Sequence, residues 1–224
     1  MVVFKLDKRP IFPPPHLAEE DGLLAVGGDL TPRRLLSAYS QGIFPWYSEG
    51  EPILWWYTHP RLVLYPEKFH VNSRLQRYYR NTSLTLTADT AFGQVIEQCA
   101  ATRTTNNEET WIVDEMKEAY IELHKLGFAH SIECWDKTKL VGGLYGVAID
   151  KVFFGESMFS TRDNSSKFAL IYLMNIIKEH QIQIVDCQMT TAHLMQFGAE
   201  EISGEQFHNE LEKYITAINP QARW

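Results

Sequence analysis

The stretch between residues 130 and 188 constrains the fold more than any other. Three apolar runs, HSIECWD, KLVGGLYGVA and KVFFGESMF, follow one another with only the short turns DKT and ID between them. Connections this short permit antiparallel neighbours and leave no room for a parallel crossover. The expectation is an antiparallel meander. NSSKFALIYLMNIIKEH then reads as a largely buried helix, and QIQIVDCQ as a strand. A meander followed by a helix and a strand belongs to the α+β class. The glycines of VGGLYG fall inside a strand pair, where a bulge is their natural use.

The remainder is punctuated by helix signals. PIFPPPH cannot continue a helix or a central strand. Thr31-Pro32 has the form of an N-cap with Pro at the first helical position, and the helix RRLLSAYSQ should stop at Gly42. IFPWYSEGEPILWWYTHPRLVLYP holds four prolines and three of the six tryptophans, and reads as a compact irregular segment. LTLTA (84–88) alternates like a strand, and Thr90 to Cys99 like a helix. WIVDEMKEAYIELHKLG is amphipathic, with Asp114 as the expected N-cap and Gly127 as the stop. TTAHLMQFG and GEQFHNELEKYI read as two more helices. The division expected is a small Pro/Gly/Trp-rich N-terminal domain over 1–60 and a larger domain over 61–224.

With 45% hydrophobic and 22% charged residues, the chain is not disordered. A net charge of −7 argues against a nucleic-acid coat spread over the whole surface. Residues 61–80 run against that average. Arg61, Lys68, Arg74, Arg77 and Arg80 face only Glu67, a net +4. Ser73 to Arg80 reads as a short helix with Arg74, Arg77 and Arg80 on one side. Such a face is either a solvated surface or a phosphate-binding patch. Cys99, Cys134 and Cys187 are widely spaced, and neither CxxC nor HExxH occurs, so neither a disulfide framework nor a metal site is expected. No apolar run approaches the roughly 20 residues of a membrane span, and MVVFKLDKRP does not resemble a signal peptide. The expectation is a soluble cytoplasmic protein.

Two carboxylates stand where chemistry is plausible. Period-2 geometry puts Ile184, Asp186 and Gln188 on one face of the late strand. A buried Asp186 needs a hydrogen bond or a charge partner. It is either a structural carboxylate or one at a strand end beside a cleft, accepting a proton or holding a cationic ligand. Glu156 ends the run VFFG and is either an exposed strand-end residue or a second cleft carboxylate. Trp46, Trp55, Trp56 and Trp111 are either packing residues or, beside a basic helix, stacking platforms for unpaired bases.

GLLAVGGDLTPRRLLSAY, GIFPWYSEGEPILWWY, TWIVDEM, HSIECW, LVGGLYGVAI, FFGESMFS, NSSK and IVDCQ fall in the order and spacing of one family. Over roughly residues 10–200 the chain resembles the leucyl/phenylalanyl-tRNA–protein transferases. The resemblance implies a small N-terminal α/β domain packed on an acetyltransferase-like (GNAT-type) domain with a mixed, mainly antiparallel sheet. It implies a bacterial enzyme that moves Leu or Phe (also Met) from aminoacyl-tRNA to the α-amino group of a protein or peptide beginning with Arg or Lys. The modified terminus marks that protein for degradation by the N-end rule. No metal, ATP or other cofactor is implied, because an ester donor gives an amide product. By position, Asp186 and Gln188 match the family's catalytic pair. Trp46 and Trp111 would flank the terminal adenosine, and Leu144, Phe153 and Glu156 would shape the aminoacyl pocket. Arg74, Arg77 and Arg80 would hold tRNA phosphates. Leu144 stands where a family member carries Met, and Ser73 and Asn81 where the family helix is basic.

Two other functions compete. A CoA-dependent acyltransferase would need a glycine-rich pyrophosphate loop, whereas STRDNSSK has no glycine. A non-catalytic RNA- or peptide-binding module would have no use for Asp186 or Gln188.

Overall fold

The computed structural model describes residues 3–105, 112–221 and 224. A first sheet is built from β1 (Phe4–Leu6), β2 (Leu23–Gly27), β3 (Phe44–Pro45) and β4 (Leu54–Trp56), in the order β1-β2-β4-β3. β1 is parallel to β2, and the other pairings are antiparallel. Helix α1 (Pro32–Tyr39) connects β2 to β3. Pro32 does open it, but the Thr31 hydroxyl donates to Asp29 at 2.6 Å instead of capping. Gly42 ends the segment at φ +75°.

The expectation of an irregular segment after Gly42 is overturned. That segment supplies β3, β4 and β5 (Arg61–Leu64). Its aromatic content is the reason: Trp55 is fully buried, and its Nε1 donates to the Gly27 carbonyl at 2.8 Å. Pro45 is tolerated because β3 is an edge strand.

The second sheet has seven strands. Beside β5 it contains β6 (Thr85–Ala88), β7 (Ala129–Asp136), β8 (Lys139–Ile149), β9 (Val152–Ser160), β10 (Ile184–Asp186) and β11 (Glu200–Ile202). Their order is β11-β5-β10-β9-β8-β7-β6. The expected meander is β7-β8-β9, fully antiparallel. The register of β8 on β9 shifts between Tyr145 and Gly146, so the bulge expected of the glycine-rich run sits there. A Cβ at Gly146 would meet the Phe153 ring at 2.4 Å, which keeps that position free of a side chain. β10 is parallel to β9 and antiparallel to β5. The fold is therefore α+β with a mixed, mainly antiparallel sheet.

Helices α2 (Ser73–Arg80), α3 (Phe92–Thr105), α4 (Asp114–Lys125), α5 (Ser165–Glu179), α6 (Ala192–Met195) and α7 (Gly204–Tyr214) complete the order. α2 matches the expected limits and is capped by Asn72, whose side chain accepts from Leu75 N. Val113, not Asp114, holds the cap position of α4; Asp114 is the first helical residue and pairs with Lys117 at 2.7 Å. The helix expected at TTAHLMQFG is only one turn, α6.

The strands alternate between two cores. Val63, Phe154 and Ile184 face the first sheet, together with Leu35, Met116, Tyr120 and Phe207. Leu62, Phe153 and Val185 face the opposite way, toward Phe168, Leu170 and Leu173 of α5. The first sheet and one face of the second thus share a single apolar core.

Candidate active site

The cavity opens where the parallel pair comes apart. β10 stops at Asp186, opposite Phe154, while β9 runs on to Ser160. A parallel pair losing one member leaves a crevice beyond the carboxyl end of the shorter strand, the usual ligand position in such sheets. Here the crevice has a volume of about 310 Å³, in the range of small-molecule sites. Its apolar wall includes Trp46, Leu144, Phe153, Leu170, Leu173 and Leu194. Its polar lining includes Glu156, Ser157, Gln188 and His193. Gln188 Nε2, His193 Nε2 and Ser157 Oγ are buried with no hydrogen-bond partner among the described residues. Polar groups placed this way are ready to receive partners from a bound ligand.

Asp186 is behind the cavity rather than in its wall. It is fully buried and bidentate with Arg61: Nε to Oδ1 at 2.7 Å and Nη2 to Oδ2 at 2.7 Å. Oδ1 also accepts the Gln188 N–H at 3.0 Å. That bond draws the chain out of extended geometry, and Gln188 takes φ +53°. The expectation that Ile184, Asp186 and Gln188 share a strand face is therefore corrected. The strand ends at Asp186, because its own carboxylate captures the amide two residues on. A carboxylate so engaged orients the Gln188 turn.

Arg61 is likewise not the surface charge that the basic window suggests. It is completely buried, and Nη2 also donates to the Gly42 carbonyl at 2.9 Å. Its guanidinium carbon lies 4.6 Å from the Phe207 ring centroid and 5.1 Å from that of Phe44. Gly42 is required here for two reasons, its positive φ and a Cβ that would meet Phe207 at 2.6 Å. Lys68 is also taken up, by Glu200. Arg74, Arg77 and Arg80 remain exposed on α2, away from the cavity lining; Arg74 and Arg77 both lie by the Tyr78 ring.

Glu156 is in the cavity wall, held by two phenols. Tyr39 donates to Oε1 at 2.7 Å and Tyr120 to Oε2 at 3.0 Å. Burial, and then the Asp186 charge, push the Glu156 carboxyl up to about 7, against the lowering effect of the two phenols and Arg61. Burial raises both phenols well above the ordinary tyrosine value, so they stay protonated donors. Burial also pushes the Cys187 thiol far up, which removes it as a nucleophile. Burial and Lys167 lower His193, keeping its ring neutral at pH 7.

Of the residues singled out in the sequence, the structure gathers Trp46, Leu144, Phe153, Glu156 and Gln188 around one cavity. It places Asp186 behind them, and Trp111 lies outside the described residues. Trp55 is core, and Trp56 packs against Trp46 with its Nε1 on the Trp46 carbonyl. Tyr39, Tyr120 and His193 escaped the sequence reading, and Arg61 entered it only as one charge of the basic window. The signal for Arg61 was its place at the head of the apolar run RLVL, where a buried cation needs an anion.

The family model described as leucyl/phenylalanyl-tRNA protein transferase matches residues 63–212, and the model of that family's N-terminal domain matches residues 28–59. A leucyl/phenylalanyl-tRNA–protein transferase from Desulfotalea psychrophila is 60% identical, covering 100% of this chain and 99% of the relative. One from Desulfatibacillum aliphaticivorans is 51% identical, over 100% and 96%. The crystal structure of FemX has a TM-score of 0.51 at 9% identity, covering 81% of this chain and 71% of that one, a likeness of fold alone. This chain belongs to the leucyl/phenylalanyl-tRNA–protein transferase family of enzymes.

Proposed function

We propose that the enzyme transfers Leu or Phe, and also Met, from aminoacyl-tRNA to the α-amino group of a protein or peptide beginning with Arg or Lys. The product is thereby marked for degradation by the N-end rule. The observation that carries the proposal is the apolar cavity at the β9–β10 fork, with the Gln188 amide on its wall. Its apolar wall suits Leu, Phe and Met alike and discriminates weakly among them.

An α-amine has a pKa of about 7.7–8.0, so it must lose a proton before it attacks the ester. The oxyanion that follows needs a donor. Gln188 Nε2, a buried donor with its partner position open, suits that task. Asp186 and Arg61 act one step back, fixing the turn that carries it. Trp46, half-buried at the cavity wall, would stack on the terminal adenosine. Arg74, Arg77 and Arg80 would bind acceptor-stem phosphates without reading sequence. Cys134 and Cys187 form no disulfide among the described residues, which fits a reducing cytoplasm.

CoA suits the site poorly. At the head of α5, Arg162 turns to Asp136, and Ser165 Oγ is tied to the Val141 carbonyl at 2.8 Å. Acetyl-CoA should leave the melting temperature unchanged.

The direct test is transfer of labelled leucine from Leu-tRNA to a peptide with N-terminal Arg, beside a peptide with N-terminal Ala. Label on the Arg peptide alone supports the proposal; bound, intact Leu-tRNA with no label on either peptide defeats it. For the basic face, Arg77→Ala and Arg80→Ala should each weaken tRNA binding and reduce the logarithmic salt slope by about one. Titrations at several salt concentrations check this, and unchanged slopes would remove the patch from the tRNA path.

A further inference from the structure

Glu156, Tyr39 and Tyr120 form a closed ring of three contacts. Tyr39 meets Glu156 Oε1, Tyr120 meets Oε2, and the two phenol oxygens are in hydrogen-bond contact with each other. Each contact needs one proton between its oxygens. The phenols own two protons. With Glu156 ionised, both are spent on its carboxylate, and the contact between the phenols is left without one. A third proton on the carboxyl completes the ring, because each group then donates to the next around it. Only Glu156 can gain that proton near neutral pH, since the phenols already hold theirs. The ring is therefore built to take up one proton and give it back.

This unit is buried on its helical side and open on the other. Tyr39 and Tyr120 are almost entirely enclosed, whereas Glu156 lines the cavity. The groups facing the carboxyl come from every neighbouring element. They are Tyr39 of α1, Tyr120 of α4 with Tyr145 of β8 edge-on to it at 5.6 Å, Asp186 of β10 and Arg61 of β5. Asp186 is committed to Arg61, and Gln188 carries a neutral amide, a very weak base. Among these groups Glu156 alone combines an open position on the cavity with capacity for a proton, and His193, another base lining the cavity, is held below its ordinary pKa by burial and Lys167.

We infer that Glu156 accepts the proton released when the acceptor amine attacks the aminoacyl ester, and that Tyr39 and Tyr120 are its positioning residues. This rests on the proposed transfer from aminoacyl-tRNA to an α-amine. The amine lone pair forms the N–C bond at the ester carbonyl, and the N–H proton passes to Glu156. The C–O bond to the ribose then breaks, and the leaving oxygen takes the proton back from Glu156. One proton moves from nitrogen to oxygen, and no further reactant is consumed. The near-neutral carboxyl matches the amine it serves, as efficient proton transfer requires.

The test is single-turnover transfer at saturating Leu-tRNA and Arg peptide, followed from pH 5.5 to 9, with Leu-tRNA affinity measured separately. Wild-type transfer comes first: its absence would defeat the proposed function and leave the proton assignment moot. Given transfer, Glu156→Gln should bind Leu-tRNA within about threefold of wild type and transfer roughly 10²–10⁴-fold more slowly. Its rate should rise with pH through the amine ionisation alone, whereas wild type also shows the carboxyl. Tyr39→Phe removes a donor that favours the carboxylate, so the carboxyl limb should move to higher pH with the plateau largely kept. Melting curves give a readout independent of activity. Between the ordinary carboxyl range and about 7 the native state holds a proton that the unfolded state has lost. Wild-type stability relative to Glu156→Gln should thus decline as pH rises through that window. Near-normal single-turnover rates in Glu156→Gln overturn the inference, as does a loss confined to Leu-tRNA affinity. An unmoved pH limb in Tyr39→Phe removes the positioning role.

Discussion

Arg61→Met is expected to destabilise the protein by about 3–5 kcal/mol, the cost of leaving a buried carboxylate without its cation. Asp186 is fully buried and has no other charge partner in contact among the described residues. At roughly 2–4 °C per kcal/mol for a chain of this size, the melting temperature should drop by roughly 6–20 °C. Transfer should be lost as well, because the turn at Gln188 hangs from Asp186 Oδ1. The double variant Arg61→Met/Asp186→Leu separates the two effects. Replacing both charges with apolar groups of similar size is often neutral for stability, less the cost of a Gly42 carbonyl deprived of its donor. It should therefore recover most of the melting temperature but not the activity. Denaturant melts and transfer assays on the pair check this. A double variant with wild-type turnover would show that the ion pair serves stability alone.

Gln188→Ala is expected to lower the transfer rate at saturating donor by about 10²–10³-fold, the usual cost of losing one oxyanion donor. Donor affinity should stay near wild type, because the apolar wall is untouched. The backbone supplies a second readout. Gln188 sits at φ +53°, where a side chain is strained. Gln188→Gly should be about 1 kcal/mol more stable than Gln188→Ala and equally slow. Strain kept at a residue that carries chemistry is a familiar exchange of stability for activity. Wild-type turnover in Gln188→Ala would take the amide out of the rate-determining step; equal stability of the two variants would show that the turn is unstrained.

Local patterns made much of this fold legible. The meander follows from two short turns, and α2 from its cap and charge spacing, because those signals act between near neighbours. The strand at 182–188 was overextended, since nothing in its alternation announces that Asp186 will capture the Gln188 amide. Arg61 was misplaced for a related reason. Its charge was weighed against residues nearby in sequence, while its partner is 125 residues away. Trp46, Leu144, Phe153 and Glu156 were found through a family resemblance; periodicity alone left their use open. Tyr39 and Tyr120 look like ordinary apolar positions on helices. Only the closure of α1 and α4 over β9 turns them toward Glu156.

The aromatic roof over Arg61 has a consequence for synthesis. Phe207, from the last helix, covers a guanidinium that leaves the ribosome 146 residues earlier. At 5–20 residues per second, that interval is roughly 7–30 s. For most of it Arg61 is a hydrated cation on an unfinished chain, because its anion, Asp186, is made 125 residues after it. Arg61 thus gains its anion first and its aromatic cover only with α7, so the support beneath the Gln188 turn is completed late in the making of the chain.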